Sequence, residues 1–547
     1  MAVISLSVLP LSCILGFVLL ISSVFADVPT QYFDWTVSYA NFAPLGVEKQ
    51  VITVNDNFPG PELETVTNNI ISVNVHNNLD EPFLITWNGI QQRRSSWQDG
   101  VLGTNCPIPP GQNWTYTFQA KDQIGSFFYS PSLFLHRMAG GYGGIRIHNR
   151  DVIAVPFPPP ADDFTLLISD CYNRNHKDIK TSLDAGLLMG QPDGITINGR
   201  GPYRTVLAVQ PGSTYRLRIS NVGTQTTLNF RIQNHRMLLV ETEGSYTLQD
   251  YYQTLDIHVG QSFSVLVTAD QSVPASTSFY IVASSRFIDP VKTGTALLQY
   301  GAAITPSPPS GSPPDGPDPL DYDYSLNQAR AIRWNLTTGA ARPNPQGSFH
   351  YGVINVTRTI QLQNTAPIIG GKQRFAVNGV SFVYGDTPLK LADYFQINNV
   401  FTLGGVPDSP TGQVAPGYGT PVIDTVNKAF VHIVFQNTET TLQTWHVDGY
   451  SFFIVGMDAG AWDTTKQSTY NMIDAVSRST IQVYPKSWTA IMMELDNVGM
   501  WNIRSENCMR RYLGQEVYMR VSSEDASQNE DPMPPNVMLC GRANSAH

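Results

Sequence analysis

The stretch L-Q-T-W-H-V-D-G-Y-S-F-F-I-V-G, Leu442 to Gly456, places an imidazole at His446 and a carboxylate at Asp448 on a polar loop that runs into a buried strand. Phe452, Phe453, Ile454 and Val455 form the strand's apolar run, bounded by glycines at 449 and 456. With Glu506, from the later block G-M-W-N-I-R-S-E-N-C-M-R-R-Y-L-G-Q, these donors suit one hard cation or a single copper. The plainer reading, which we adopt, is a hydrogen-bonded histidine in a wet cavity. No Ser-His-Asp order, H-E-x-x-H, phosphate-binding loop or dinucleotide fingerprint stands at a usable spacing.

The elements that must position these groups are strands. At 547 residues the chain exceeds one compact domain, and a prior of roughly 150 residues per domain gives about three. Charged residues make up only 14%, aromatics reach 11%, and 43 Gly with 38 Pro supply turns, which together favour an all-β chain over a disordered or coiled-coil one. The net charge of -10 argues against nucleic acid or an anionic membrane surface as partner.

Val8 to Phe25 is an apolar run followed by V-F-A, so residues 1–26 read as a signal peptide cleaved after Ala26 rather than as a single-pass anchor. Secretion implies an oxidising compartment. Cys13 leaves with the peptide, and Cys106, Cys171, Cys508 and Cys540 remain. Sequons at Asn113, Asn335 and Asn355 fit a secreted glycoprotein. The C-terminal V-M-L-C-G-R-A-N-S-A-H lacks the hydrophobic tail of a lipid-anchor signal, so a soluble protein without a membrane anchor is expected.

Prolines near 156–160 and the segment Thr305 to Pro319 divide the mature chain into domains of about 27–155, 160–304 and 320–547, with 305–319 as an extended linker. The three pieces resemble one another. In each, an alternating strand ends at an asparagine (Asn78, Asn221, Asn437), and a second strand follows a polar hairpin. About ten residues on stand Asn88, Arg231 and Asp448, which suggests one β-sandwich unit used three times.

Four blocks carry a family resemblance. L-I-T-W-N-G-I-Q-Q with S-S-W-Q-D-G and C-P-I-P-P-G, and then G-S-F-F-Y-S-P-S-L-F-L-H-R-M-A-G-G-Y-G-G, lie in the first domain, and the two blocks around His446 and Glu506 lie in the third. In order and separation these resemble the multicopper oxidases of the ascorbate oxidase and laccase type over the whole mature length. The resemblance implies three cupredoxin-like, Greek-key β-sandwich domains. Within that family, the loss of histidines is similar to the plant pollen ascorbate-oxidase-like and skewed-growth (SKU-type) proteins.

Carried over residue by residue, the resemblance puts Ser505 at the blue-copper cysteine, Gln443 and Arg510 at its histidines, and Gln515 at the axial methionine. A hydroxyl is a poor copper ligand and a guanidinium cannot release its proton to bind metal, so the blue site is expected to be absent. The eight trinuclear imidazole positions fall on Thr86, Asn88, Ser130, Ser132, His446, Asp448, Arg504 and Glu506, and only His446 keeps its type. The resemblance thus implies a polar network in which Arg504 pairs with Asp448 or Glu506, while Arg504 and Arg510 together balance those two carboxylates. No cofactor is expected, beyond copper at low occupancy on His446.

Asp99 matches a position where active relatives keep an acid for proton delivery, and its expected role here is loop structure. His136 lies off the ligand positions and reads as a packing or surface histidine. Cys106 and Cys540 match cysteines that, in ascorbate oxidase, tie the tail to the first domain. Closing such a loop stabilises by roughly 4 to 5 kcal/mol in the chain-entropy model. Cys171 and Cys508 have no counterparts and either pair or stay free. Three functional readings follow: a redox-silent wall glycoprotein acting in expansion or tip growth, a residual one-copper oxidase, and a wall-polysaccharide-binding protein suggested by the many Trp and Tyr residues. A wall polysaccharide or wall protein is the expected partner.

Overall fold

The computed structural model describes residues 28–151, 154–274, 276–301, 307–337, 355–410, 415–523 and 531–545. The signal-peptide reading, on residues 1–26, lies outside the described residues. Among the described residues no helix is long and apolar enough to cross a membrane.

One pattern of strand pairing recurs three times. Strand Ile70–Asn77 runs parallel to Thr30–Phe42 and antiparallel to Asn113–Gln119. Strand Thr214–Asn221 has the same two kinds of neighbour in Asp163–Cys171 and Ser262–Thr268. Strand Phe430–Asn437 has them in Arg358–Thr365 and Ser487–Glu494. Each central strand then hands over to the opposite sheet, where Ile85–Asn88 pairs with Gly125–Pro131, Leu228–Ile232 with Ser278–Ser285, and Gln443–Val447 with Gly499–Ser505. The two sheets of each unit enclose a separate apolar core, so the fold is all-β, three cupredoxin-like sandwiches.

The handover is fixed by a buried asparagine. Asn77 Nδ2 donates to the carbonyls of Glu81 (2.9 Å) and Ile108 (2.8 Å), and its Oδ1 accepts from Leu79 N. Asn221 does the same with Thr226, Ile257 and Gly223, as does Asn437 with Thr441, Tyr484 and Glu439. A short amide side chain that satisfies several turn groups at once suits a corner where the ladder ends. The sequence expectation named Asn78. The structure puts Asn77 in that role, because the strand's alternation turns Asn77 inward and leaves Asn78 exposed.

The proline-rich segment follows the second sandwich. Tyr280 Oη donates to the carbonyls of Pro309 and Gly311, and Arg231 Nε donates to that of Pro314. The C-terminal tail returns to the first sandwich through the Cys106–Cys540 disulfide, across a sequence separation of 434. Around it, Trp97 Nε1 donates to Asp531 O, and Trp114 Nε1 to Asn536 O. Cys171 and Cys508 are both buried and free, and burial raises both thiols, Cys508 to about 11. Asn113 and Asn355 are exposed and Asn335 is partly so.

Candidate functional site

Strand alternation sorts the predicted positions into two places. In the pairing of Gln443–Val447 with Gly499–Ser505, Trp445 lies opposite Ser505, His446 opposite Arg504 and Val447 opposite Ile503. Trp445, Val447 and Ile503 fill the third core, so His446 and Arg504 point out of that sandwich. In the first sandwich Ile85, Trp87 and Tyr129 fill the core, and the cross-strand pair Thr86 and Ser130 points out in the same way. The two outward faces meet. Thr86, Asn88, Ser130, Ser132, Arg504 and Glu506 line one buried cavity of about 20 Å³, room for on the order of one water molecule.

An arginine organises this junction. Arg504 Nη1 donates to Asp448 Oδ2, and its Nε stands 3.3 Å from Glu506 Oε1. Arg137 Nη1 closes on the other oxygen of Glu506 at 2.6 Å. His446 Nε2 meets Asp448 Oδ1 at 3.0 Å, and its Nδ1 meets Thr480 Oγ1 at 2.8 Å. The second sandwich steadies that contact, since Glu243 holds Arg478 and accepts from the backbone N–H groups of Ser479 and Thr480. Burial opposes charge on Glu506, but Arg137 and Arg504 hold its pKa down at about 2. Burial likewise opposes charge on Asp448, which Arg504 and then His446 hold well below the usual carboxylate range. Asp99 goes the other way: burial and the neighbouring Asp448 push it well up, which favours the neutral acid.

Arg504 thus pairs with both carboxylates, where the sequence offered one or the other. The expected share of Arg510 in that balance is corrected: Arg510 pairs with Glu439 at 2.6 Å, and Arg137 supplies the second cation. The reason is position, because Arg510 sits on the short helix Cys508–Tyr512 beyond the strand end. Asp99 stands in the loop just after the short helix Ser96–Gln98 and is in addition a buried acid against Asp448, and His136 proves to be fully buried.

Three of the four blue-site positions, Gln443, Arg510 and Gln515, meet through their side chains, and Ser505 joins them only through its backbone N–H, which donates to Gln515 O. Gln515 Nε2 donates to Gln443 Oε1 (3.0 Å), and Arg510 Nη1 donates to Gln515 Oε1 (2.9 Å). Ser505 Oγ accepts from Asn507 N (3.3 Å). Arg137, Glu439, Arg511 and Glu516 were missed by sequence reasoning. Arg511 and Glu516 lie 3.7 Å apart behind Arg504, and Glu516 also accepts from Tyr384 Oη. The available signal was charge inside apolar blocks, as in L-F-L-H-R-M and C-M-R-R-Y-L-G-Q-E.

The donor set does not fit a trinuclear copper centre. It offers one imidazole, whose two nitrogens are both engaged, and it sets a fixed guanidinium charge among the remaining oxygens.

Comparison with known proteins gives the lineage. Multicopper oxidase family models match residues 36–152, 162–303 and 386–527. An L-ascorbate oxidase homolog of Brassica napus is 51% identical over 95% of this chain and 94% of its own length. The monocopper oxidase-like protein SKU5 of Arabidopsis thaliana is 49% identical over 96% and 92%, whereas the L-ascorbate oxidase of Cucurbita pepo var. melopepo is 28% identical over 93% and 97%. Fet3p, a multicopper oxidase that functions in iron import, shares the fold at a TM-score of 0.77, with 19% identity and 93% of each chain covered. With family matches in all three sandwiches and near-full-length relatives at about half identity, the chain belongs to the multicopper oxidase family.

Proposed function

We propose that this chain is a redox-silent extracellular glycoprotein of the plant cell wall, acting in wall expansion or in tip growth such as that of the pollen tube. The observation that carries the reading is Arg504, whose guanidinium spans Asp448 and Glu506 at positions that the family resemblance aligns with copper-binding imidazoles. A cation fixed there repels metal, and each carboxylate that could have ligated is already paired. The apolar N-terminal run, the three accessible sequons and the plant relatives support the location. Its action in the wall is then one of binding, to a wall polysaccharide or a wall protein.

The test is metal analysis of the purified secreted protein, with a visible spectrum and an oxygen-uptake assay on the same sample. Copper far below one per chain, no blue band and no oxygen uptake are expected. One copper per chain that disappears in His446→Ala, together with oxygen uptake, would replace this reading with that of a residual oxidase.

A further inference from the structure

Away from the junction, three metal-ligating side chains converge from both the first and the second sandwich. Glu81 lies in the loop after strand Ile70–Asn77, His136 begins the short helix His136–Ala139, and His176 begins the helix His176–Asp184. One ligand atom from each lies within 4.8 Å of the others. His136 Nε2 is 3.3 Å from Glu81 Oε2, and His176 Nε2 is 3.4 Å from Glu81 Oε1. Donors bound at about 2.0 to 2.1 Å in a tetrahedron stand about 3.3 Å apart, so the two His–Glu81 spacings match ligands of one ion, and the whole set lies close enough for small side-chain shifts to complete it.

A second observation points the same way. His136 is only 1% exposed, yet its Nε2 meets Glu81 without a well-formed hydrogen bond, and its Nδ1 and the Nδ1 of the buried His176 have no hydrogen-bond partner. A buried polar group without a partner calls for an explanation, and an ion is one of the few available. The hydroxyl of Tyr39 also reaches Glu81 Oε1, the arrangement of an outer group that orients a ligating carboxylate. Lys177 stands 3.3 Å from Glu81 Oε1 and 2.8 Å from the exposed Asp80, so metal binding at Glu81 would leave its ammonium paired with Asp80 alone.

We propose that Glu81, His136 and His176 form a site for one divalent transition-metal ion of the zinc class, clamping the first sandwich to the second. The proposal is independent of the Arg504 junction and stands whether or not that junction is silent.

The experiment strips the full-length secreted protein with a chelator and titrates it with Zn²⁺ alone, reading stoichiometry by native mass spectrometry. Co²⁺ serves as a spectroscopic substitute, and thermal unfolding is followed with and without zinc. The expected result is one zinc per chain, a tetrahedral Co²⁺ spectrum and a higher Tm with metal. Affinity should fall by about 100-fold or more in His136→Ala and in His176→Ala, with His446→Ala unaffected. Glu81 is partly exposed, so Glu81→Gln decides the matter should either histidine variant fail to fold. The absence of zinc uptake by the stripped wild type, uptake indifferent to Glu81→Gln and the histidine variants, or loss of zinc in His446→Ala would each overturn the proposal.

Discussion

His446 and Arg504 are direct cross-strand neighbours, and both close on the same carboxylate, that of Asp448. The strand register that makes them neighbours also turns them out of the third core and toward the first sandwich. The junction between sandwiches is therefore held by charge at positions that the family resemblance aligns with copper-binding imidazoles.

Removing the guanidinium should be costly. Arg504→Met leaves Asp448 and Glu506 buried with part of their compensation gone, and we expect a loss of about 3–5 kcal/mol in chemical denaturation. Adding Asp448→Asn to that variant should recover part of the loss. A double variant no more stable than Arg504→Met would show that the two residues do not act as a pair.

Stability should fall in acid for a stated reason. The pKa of Glu506 drops from an ordinary 4.5 to about 2 on folding, and Asp448 is depressed from 3.8. Their contribution is complete above about pH 4.5 and is lost as pH falls through the folded values. Asp99 has the opposite sign, because its raised value makes it favour folding below the ordinary 3.8 and lose that contribution as pH rises. Asp99→Asn should leave the acid slope of the other two in place and be neutral or stabilising at pH 7. Urea midpoints between pH 2 and pH 8 on both proteins would check this, and a marked destabilisation of Asp99→Asn at pH 7 would contradict it.

Cys106→Ser should cost about 2–5 kcal/mol and free the tail. Limited proteolysis gives the readout: cleavage near residues 531–540 is expected in the variant well before the sandwiches are cut. Equal resistance in both proteins would mean that the contacts of Trp97 and Trp114 hold the tail without the bond.

Ser505→Cys should not restore a blue site. The other positions are occupied by Gln443, Gln515 and an Arg510 already committed to Glu439, and a thiolate without imidazoles lacks the ligand field. A visible spectrum of the copper-incubated variant is expected to be blank, and a blue band would mean that Arg510 can be displaced.

Much of this was legible in the chain. The sandwich fold shows in alternating strands and glycine-bounded runs, and the pairing of Arg504 with nearby carboxylates follows from residue types at the aligned positions. What could not be read was which charge meets which. Arg510 and Arg511 are adjacent, yet one reaches Glu439 and the other faces Glu516, a choice set by a helix of five residues after the strand. Arg137 finds Glu506 across 369 positions, and Glu81 finds His176 across 95, distances over which local pattern carries no information. The Asn77 correction is of the local kind, a one-residue phase that only the observed pleat decides.

The bond between Cys106 and Cys540 also imposes a timetable. Synthesis at roughly 5–20 residues per second puts the second cysteine about 20 to 90 s behind the first, so the early thiol must wait reduced while most of the chain arrives. Cys171 emerges within that interval as a rival partner. Its burial in the folded second sandwich, which also raises its thiol, withdraws it from exchange, so the folding of that unit protects the later pairing of Cys106 with Cys540.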